Sequence, residues 1–133
     1  MKLILLSGKQ NSGKTKTLNM LYNEIINLGG IIIDKKEILR SKDDFKCTFS
    51  YNNIKIAIFT MGDVLKECIK AIIEYSNQDI LVLAYSNIFT KINLDEMARR
   101  FDYHFVIKKT VSEKKDHFIT NKNDCRKILS ELN

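Results

Sequence analysis

A chain of 133 residues makes one domain, residues 1–133, with a core large enough to fold alone and little room for insertions. Its 44% hydrophobic content excludes a disordered chain, and no apolar run approaches the roughly 20 residues that span a bilayer, so no membrane partner is expected. A net charge of +6 favours anionic partners but does not separate a nucleotide from a nucleic acid.

The first element is a strand at Leu3-Ile4-Leu5-Leu6, too short an apolar stretch for a signal segment. A glycine-containing loop follows, and then a helix from Lys14 to Leu28. Leu18, Leu21, Tyr22, Ile25 and Leu28 recur in that helix at i, i+3, i+4, i+7 spacing and form a core-facing stripe. Gly29-Gly30 ends it, glycine being the residue expected just past a helix C-terminus. Ile31-Ile32-Ile33, apolar throughout, reads as a second buried strand, and residues 34–44 read as a polar loop. Phe45, Cys47, Phe49 and Tyr51 alternate with polar residues, Asn52-Asn53 can take the positive φ of a tight turn, and Ile54 to Phe59 returns, so 45–60 is a β-hairpin. Val64, Leu65, Cys68, Ile69, Ile72 and Ile73 form a second helical stripe, and Ile80 to Ala84 is a buried strand. Asn93 with Glu96 resembles a capping box and starts a short helix through Phe101. Tyr103 to Ile107 is a further strand, and a helix from about Asp124 to Leu132 closes the chain, with Cys125, Ile128, Leu129 and Leu132 inward. Alternating strands and helices imply an α/β fold, a three-layer α/β/α sandwich with a mostly parallel sheet, the hairpin adding an antiparallel strand near an edge.

The loop is the informative segment. Gly8-Lys9-Gln10-Asn11-Ser12-Gly13-Lys14-Thr15 fits G-x-x-x-x-G-K-[ST] in full, after a strand and before a helix, the context that pattern needs. Its successive N–H groups point into one concavity, and the helix start adds unpaired N–H groups and the positive end of its dipole. At these residues the chain resembles the P-loop NTPase superfamily, through the Walker A motif. The resemblance implies a nucleoside triphosphate, ATP favoured over GTP, with Mg²⁺. Gly8, Asn11, Ser12, Gly13, Lys14, Thr15 and Lys16 would bind it, Lys14 reaching the β- and γ-phosphates and the Thr15 hydroxyl ligating Mg²⁺.

Other candidates are sorted by the rule that ligands sit at the carboxyl ends of parallel strands. Asp63, three residues past the strand Ile54–Phe59, is read either as the superfamily's Mg²⁺-holding and catalytic acid or as a cap of the next helix. In that superfamily the acid usually sits directly at the strand end, where Thr60 stands here. Asp34 ends the second strand and is read as a solvated loop start, with orientation of a water or hydroxyl as the rival role. Lys35, Lys36, Arg40, Lys108, Lys109, Lys114 and Lys115 form a basic rim on the phosphate side, whereas Arg99 and Arg100 fall on the opposite side. Asn121-Lys122-Asn123-Asp124 spells the guanine-reading N-K-x-D of GTPases, but it lacks the preceding long strand and reads as a polar loop capping the last helix. That loop remains a candidate border for the base. His104 and His117 lack metal partners at usable spacing.

Cys47, Cys68 and Cys125 are scattered and read as small buried apolar side chains in a reducing compartment, hence a cytoplasmic location. The expected activity is slow ATP hydrolysis, for no catalytic base or arginine finger is evident. The rivals are a small-molecule or nucleotide kinase, a nucleotide-dependent switch that binds a protein partner, and a nucleic-acid-associated ATPase, which the charge permits but no aromatic platform supports.

Overall fold

The computed structural model describes residues 1–38, 43–86 and 103–132. The elements in chain order are β1 (Lys2–Gly8), α1 (Lys14–Asn27), β2 (Ile31–Glu37), β3 (Phe45–Tyr51), β4 (Ile54–Phe59), α2 (Leu65–Glu74), β5 (Ile80–Ser86), β6 (Tyr103–Lys108), a 3₁₀ turn (Lys114–Asp116) and α3 (His117–Ser130). The six strands form one sheet in the order β2-β3-β4-β5-β1-β6. β4, β5, β1 and β6 run parallel, and β3 is antiparallel to both its neighbours. The fold is therefore α/β with a mixed, mostly parallel sheet and an antiparallel hairpin.

The core has two halves, one on each face of the sheet. Ile4 and Leu6 of β1, Phe45, Cys47 and Phe49 of β3, and Val82 of β5 meet Leu18, Leu21 and Ile25 of α1 and Cys125 and Ile128 of α3. Leu3 and Leu5, Ala57 and Phe59, and Leu81 and Leu83 point the other way, onto Cys68, Ala71 and Ile72 of α2. Alternate residues of each strand thus serve opposite faces, as a pleated strand covered on both sides requires. The hairpin turn is formed by Asn52 and Asn53 at φ 50 and 62, the positive values asparagine tolerates. All three cysteines are free and buried, and burial raises the thiols of Cys47 and Cys68 to about 12. Among the described residues, no helix is long and apolar enough to cross a membrane.

Four expectations need correction. The helical stripes are narrower than expected, for Leu28, Val64 and Ile73 are exposed, each at or beyond the end of its helix or on its outer face. β2 is a strand, but it is not buried: it lies at the sheet edge, and Ile31, Ile32 and Ile33 are 69%, 42% and 58% exposed. The supposed loop from residue 34 is strand as far as Glu37. The last helix starts at His117, so Asn121-Lys122-Asn123-Asp124 lies within it rather than in a loop before it. The capping-box helix at 93–101, together with Arg40, Arg99 and Arg100, lies outside the described residues.

Candidate functional site

The carboxyl ends of β1, β4, β5 and β6 share one edge of the sheet. Because β3 runs the other way, its first residues lie at that same edge. Five segments therefore converge there: the glycine loop after β1, the 60–63 turn after β4, the end of β5, residues 109–112 after β6, and Asp43-Asp44 before β3.

The loop leads from β1 into α1 with Asn11 at φ 61 and Gly13 at φ 96. Gly13 is the helix N-cap, in the left-handed region, and no side chain caps the helix. A Cβ at Gly13 would lie 2.7 Å from Asn121 Oδ1, so both its φ and its surroundings call for glycine. The first turn of α1 contains no acidic residue of its own. Lys14 is only 5% exposed. Its ammonium donates to the carbonyls of Gly8 and Lys9, at 3.0 and 2.6 Å, and so closes back over the loop. Burial pushes its pKa below the usual 10.5, and the charge of Asp63 opposes that shift in part.

Asp63 reaches this lysine across a strand. β5 lies between β4 and β1, so the ends of those two strands are about 10 Å apart, two inter-strand spacings. Three further residues cover about 10 Å, and the turn Thr60-Met61-Gly62-Asp63 passes over β5, with the Ser86 amide donating to the Gly62 carbonyl at 3.0 Å. Asp63 Oδ1 then stands 3.9 Å from Lys14 Nζ. The N-cap of α2 is Val64, without a side-chain cap, so the capping role considered for Asp63 is not the one observed.

Thr15 and Thr60 meet at a residue that the sequence reading passed over. The Thr15 hydroxyl donates to Asp44 Oδ1 at 3.1 Å, and the Thr60 hydroxyl donates to the same oxygen at 2.8 Å. Thr60 Oγ1 in turn accepts the Phe45 amide at 2.8 Å, which ties the start of β3 to the end of β4. Asp44 stood inside a supposed loop; the signal that could have found it is its place just before an antiparallel strand, whose start lies at the ligand edge. A cavity of about 320 Å³ opens between these groups, with Asn11, Gly13, Lys14, Thr15 and Lys16 on one side and Asp43, Thr60, Gly62 and Asp63 on the other.

A second cavity, of about 600 Å³, lies on the other flank of the loop, between Gly8–Ser12 and residues 108–112. His117, the first residue of α3, borders both cavities. The wall at 109–112 is anchored from beneath. Lys109 donates from its amide to the Ser7 carbonyl at 2.6 Å and from its ammonium to Asp124 at 2.8 Å, with both charged side chains almost fully buried. Asp124 also accepts the Thr110 amide and hydroxyl, at 2.9 and 2.7 Å. Desolvation would raise its pKa, but the hydrogen bonds from Lys109 and Thr110 outweigh that and hold it below 3.8. This aspartate is 0% exposed, and its oxygens are taken by the protein's own groups, so it is not available to read a base.

Ser12 Oγ, Ser86 Oγ and Asn121 Oδ1 are buried polar atoms without a hydrogen-bond partner among the described residues. Ser12 lies in the loop, Asn121 lies against Gly13, and Ser86 is in register with Gly8. Three of the four such atoms thus lie around the loop, which fits a polar group bound there; the fourth, Gln78 Oε1, lies before β5 at the opposite edge of the sheet. Asp34 is not in the site. It sits on β2, separated from β1 by three strands, with Lys36 at 3.9 Å. Lys35 is equally remote, its ammonium 4.1 Å from the centre of the Tyr22 ring.

No protein-family model, no curated protein and no solved structure matches this chain.

Proposed function

We propose that the chain is a small P-loop-type protein that binds ATP with Mg²⁺ and hydrolyses it slowly in the cytoplasm. The observation that carries this reading is the buried Lys14 ammonium, folded over its own loop at an uncapped helix N-terminus and bordering a cavity with Thr15. A buried ammonium held mainly by two carbonyls is short of negative charge, and the β- and γ-phosphates would supply it. The amides of Asn11 to Lys16 would hold the remaining phosphate oxygens. Thr15 and Asp63 would hold the cation, whose chemistry is to neutralise charge on the phosphates.

The cavity beside residues 109–112 has room for the base and ribose. Burial of Asp124 supports ATP over GTP, because the acid that N-K-x-D would offer to guanine is engaged with Lys109 and Thr110. Slow turnover is the expectation carried over from the sequence, in which no catalytic base or arginine finger is evident. Three buried thiols suit a reducing compartment.

The test is calorimetric titration with ATP and with GTP, in the presence of Mg²⁺, on wild type and Lys14→Ala. Binding of ATP by the wild type, weaker binding of GTP, and loss of at least about tenfold in ATP affinity on removing this charge-assisted contact are expected. Equal ATP affinity in the two proteins would overturn the reading.

A further inference from the structure

Thr60 stands where a carboxylate at the end of β4 would face the site, yet a carboxylate is present, brought in from the next strand. The geometry points to Asp44 as the residue that positions the Thr15 hydroxyl for a divalent cation, with Thr60 holding Asp44 in place. This rests on the reading of the loop as a site for a nucleotide with its cation.

A threonine hydroxyl has one proton and two lone pairs. When its proton is committed to a carboxylate, only lone pairs face any third partner, and a cation is the partner that lone pairs suit. Thr15 donates to Asp44 Oδ1 at 3.1 Å, so its rotor is set and its oxygen is made more electron-rich. Asp44 is fixed in turn. The Thr60 hydroxyl donates to the same oxygen at 2.8 Å, nearer than its other acceptor, the Phe45 carbonyl at 3.2 Å, and Thr60 Oγ1 accepts the Phe45 amide at 2.8 Å. The Thr60 amide donates to the Phe45 carbonyl at 3.1 Å, and the Ile38 amide donates to the Asp44 carbonyl at 3.0 Å. The Asn19 side chain ties the adjoining Asp43 carbonyl, at 3.3 Å, to α1, the helix that bears Thr15. The carboxylate is thus held by two hydroxyls, and the backbone of residues 43–45 by three further hydrogen bonds, more fixing than a solvated surface aspartate receives. Its formal charge would also attract the cation, while Lys14, paired with Asp63 at 3.9 Å, faces the phosphates.

The experiment measures ATP affinity in EDTA and again with Mn²⁺, with Mn²⁺ uptake followed by water-proton relaxation, for wild type, Asp44→Asn and Thr60→Ala. Asp44→Asn keeps an acceptor oxygen for both hydroxyls and loses only the charge; Thr60→Ala keeps the charge and loses its clamp. Loss of such an outer partner costs 10- to 100-fold in metal affinity elsewhere, so Asp44→Asn is expected to weaken Mn²⁺ uptake about tenfold or more, and Thr60→Ala by less. ATP affinity in EDTA should stay at or above the wild-type value, which a merely structural role for Asp44 would not predict. Undiminished Mn²⁺ uptake in both variants overturns the role of Asp44. A wild type that binds no ATP in either buffer removes the nucleotide reading itself, and this inference with it.

Discussion

At Gly62 there is no space for a side chain. A Cβ built there would lie 2.5 Å from the carbonyl carbon of Ala84 and 2.7 Å from the amide of Tyr85, both backbone atoms that cannot swing aside. That close passage over β5 is what carries Asp63 from the end of β4 to Lys14. Gly62→Ala should therefore lift the turn and draw Asp63 away from the lysine. Overpacking of this kind costs about 1–3 kcal/mol, so urea denaturation should show a loss in that range. An unchanged denaturation midpoint would mean that the turn does not lie against β5 as described.

At the scale of elements, the junction of β6 with α3 depends on one ion pair. Lys109 and Asp124 are both almost fully buried and 2.8 Å apart. Lys109→Met would leave the carboxylate without its main partner, and breaking one side of a buried pair costs about 3–5 kcal/mol. Lys109→Met combined with Asp124→Leu should recover part of that loss. The pair also has a pH signature. Asp124 has a folded-state pKa below its unfolded value near 3.8, so its contribution is present above pH 3.8 and is lost as pH falls through the lower, folded value. Acid denaturation of the wild type should show this component, and the double variant should lack it; identical acid profiles would contradict the assignment.

The same helix shows what the sequence disclosed and what it concealed. Asn121, Asp124, Cys125 and Ile128 are its buried residues, spaced i, i+3, i+4, i+7, but the first two are polar. A search for apolar periodicity therefore finds only the second half of the helix. Most of the α1 stripe was legible: Leu18, Leu21 and Ile25 are buried and Tyr22 packs against them, whereas Leu28 is exposed past the helix end and the polar Lys14 and Thr17 are buried instead; the Asn52-Asn53 turn was legible too, its residues suiting the φ it needs. The three isoleucines of β2 identified a strand but not its place. Nothing in Ile31-Ile32-Ile33 distinguishes a sheet edge from a sheet centre, since the neighbours that decide burial are remote in sequence. The turn of the glycine loop was legible because its backbone demand is local, Gly13 standing at φ 96 before the helix. The place of Asp44 beside Thr15 was not, because it depends on the direction of β3, and only the assembled sheet sets that direction.

For the whole molecule, the strand order is the decisive property. Placing β5 between β4 and β1 sets the distance that Asp63 must cross, and reversing β3 brings Asp44 to the edge where Thr15 stands. A chain with net charge +6 thus gathers two aspartates beside a buried lysine and an uncapped helix N-terminus. That arrangement suits a polyanion that brings its own cation. The most direct measurement is the set of backbone amide shifts on titrating ATP with Mg²⁺ into the isotope-labelled protein. The account predicts saturable shifts concentrated at Asn11 to Lys16, with Asp44 and Asp63 responding. A titration that leaves those amides unmoved, or moves a different surface instead, would contradict it.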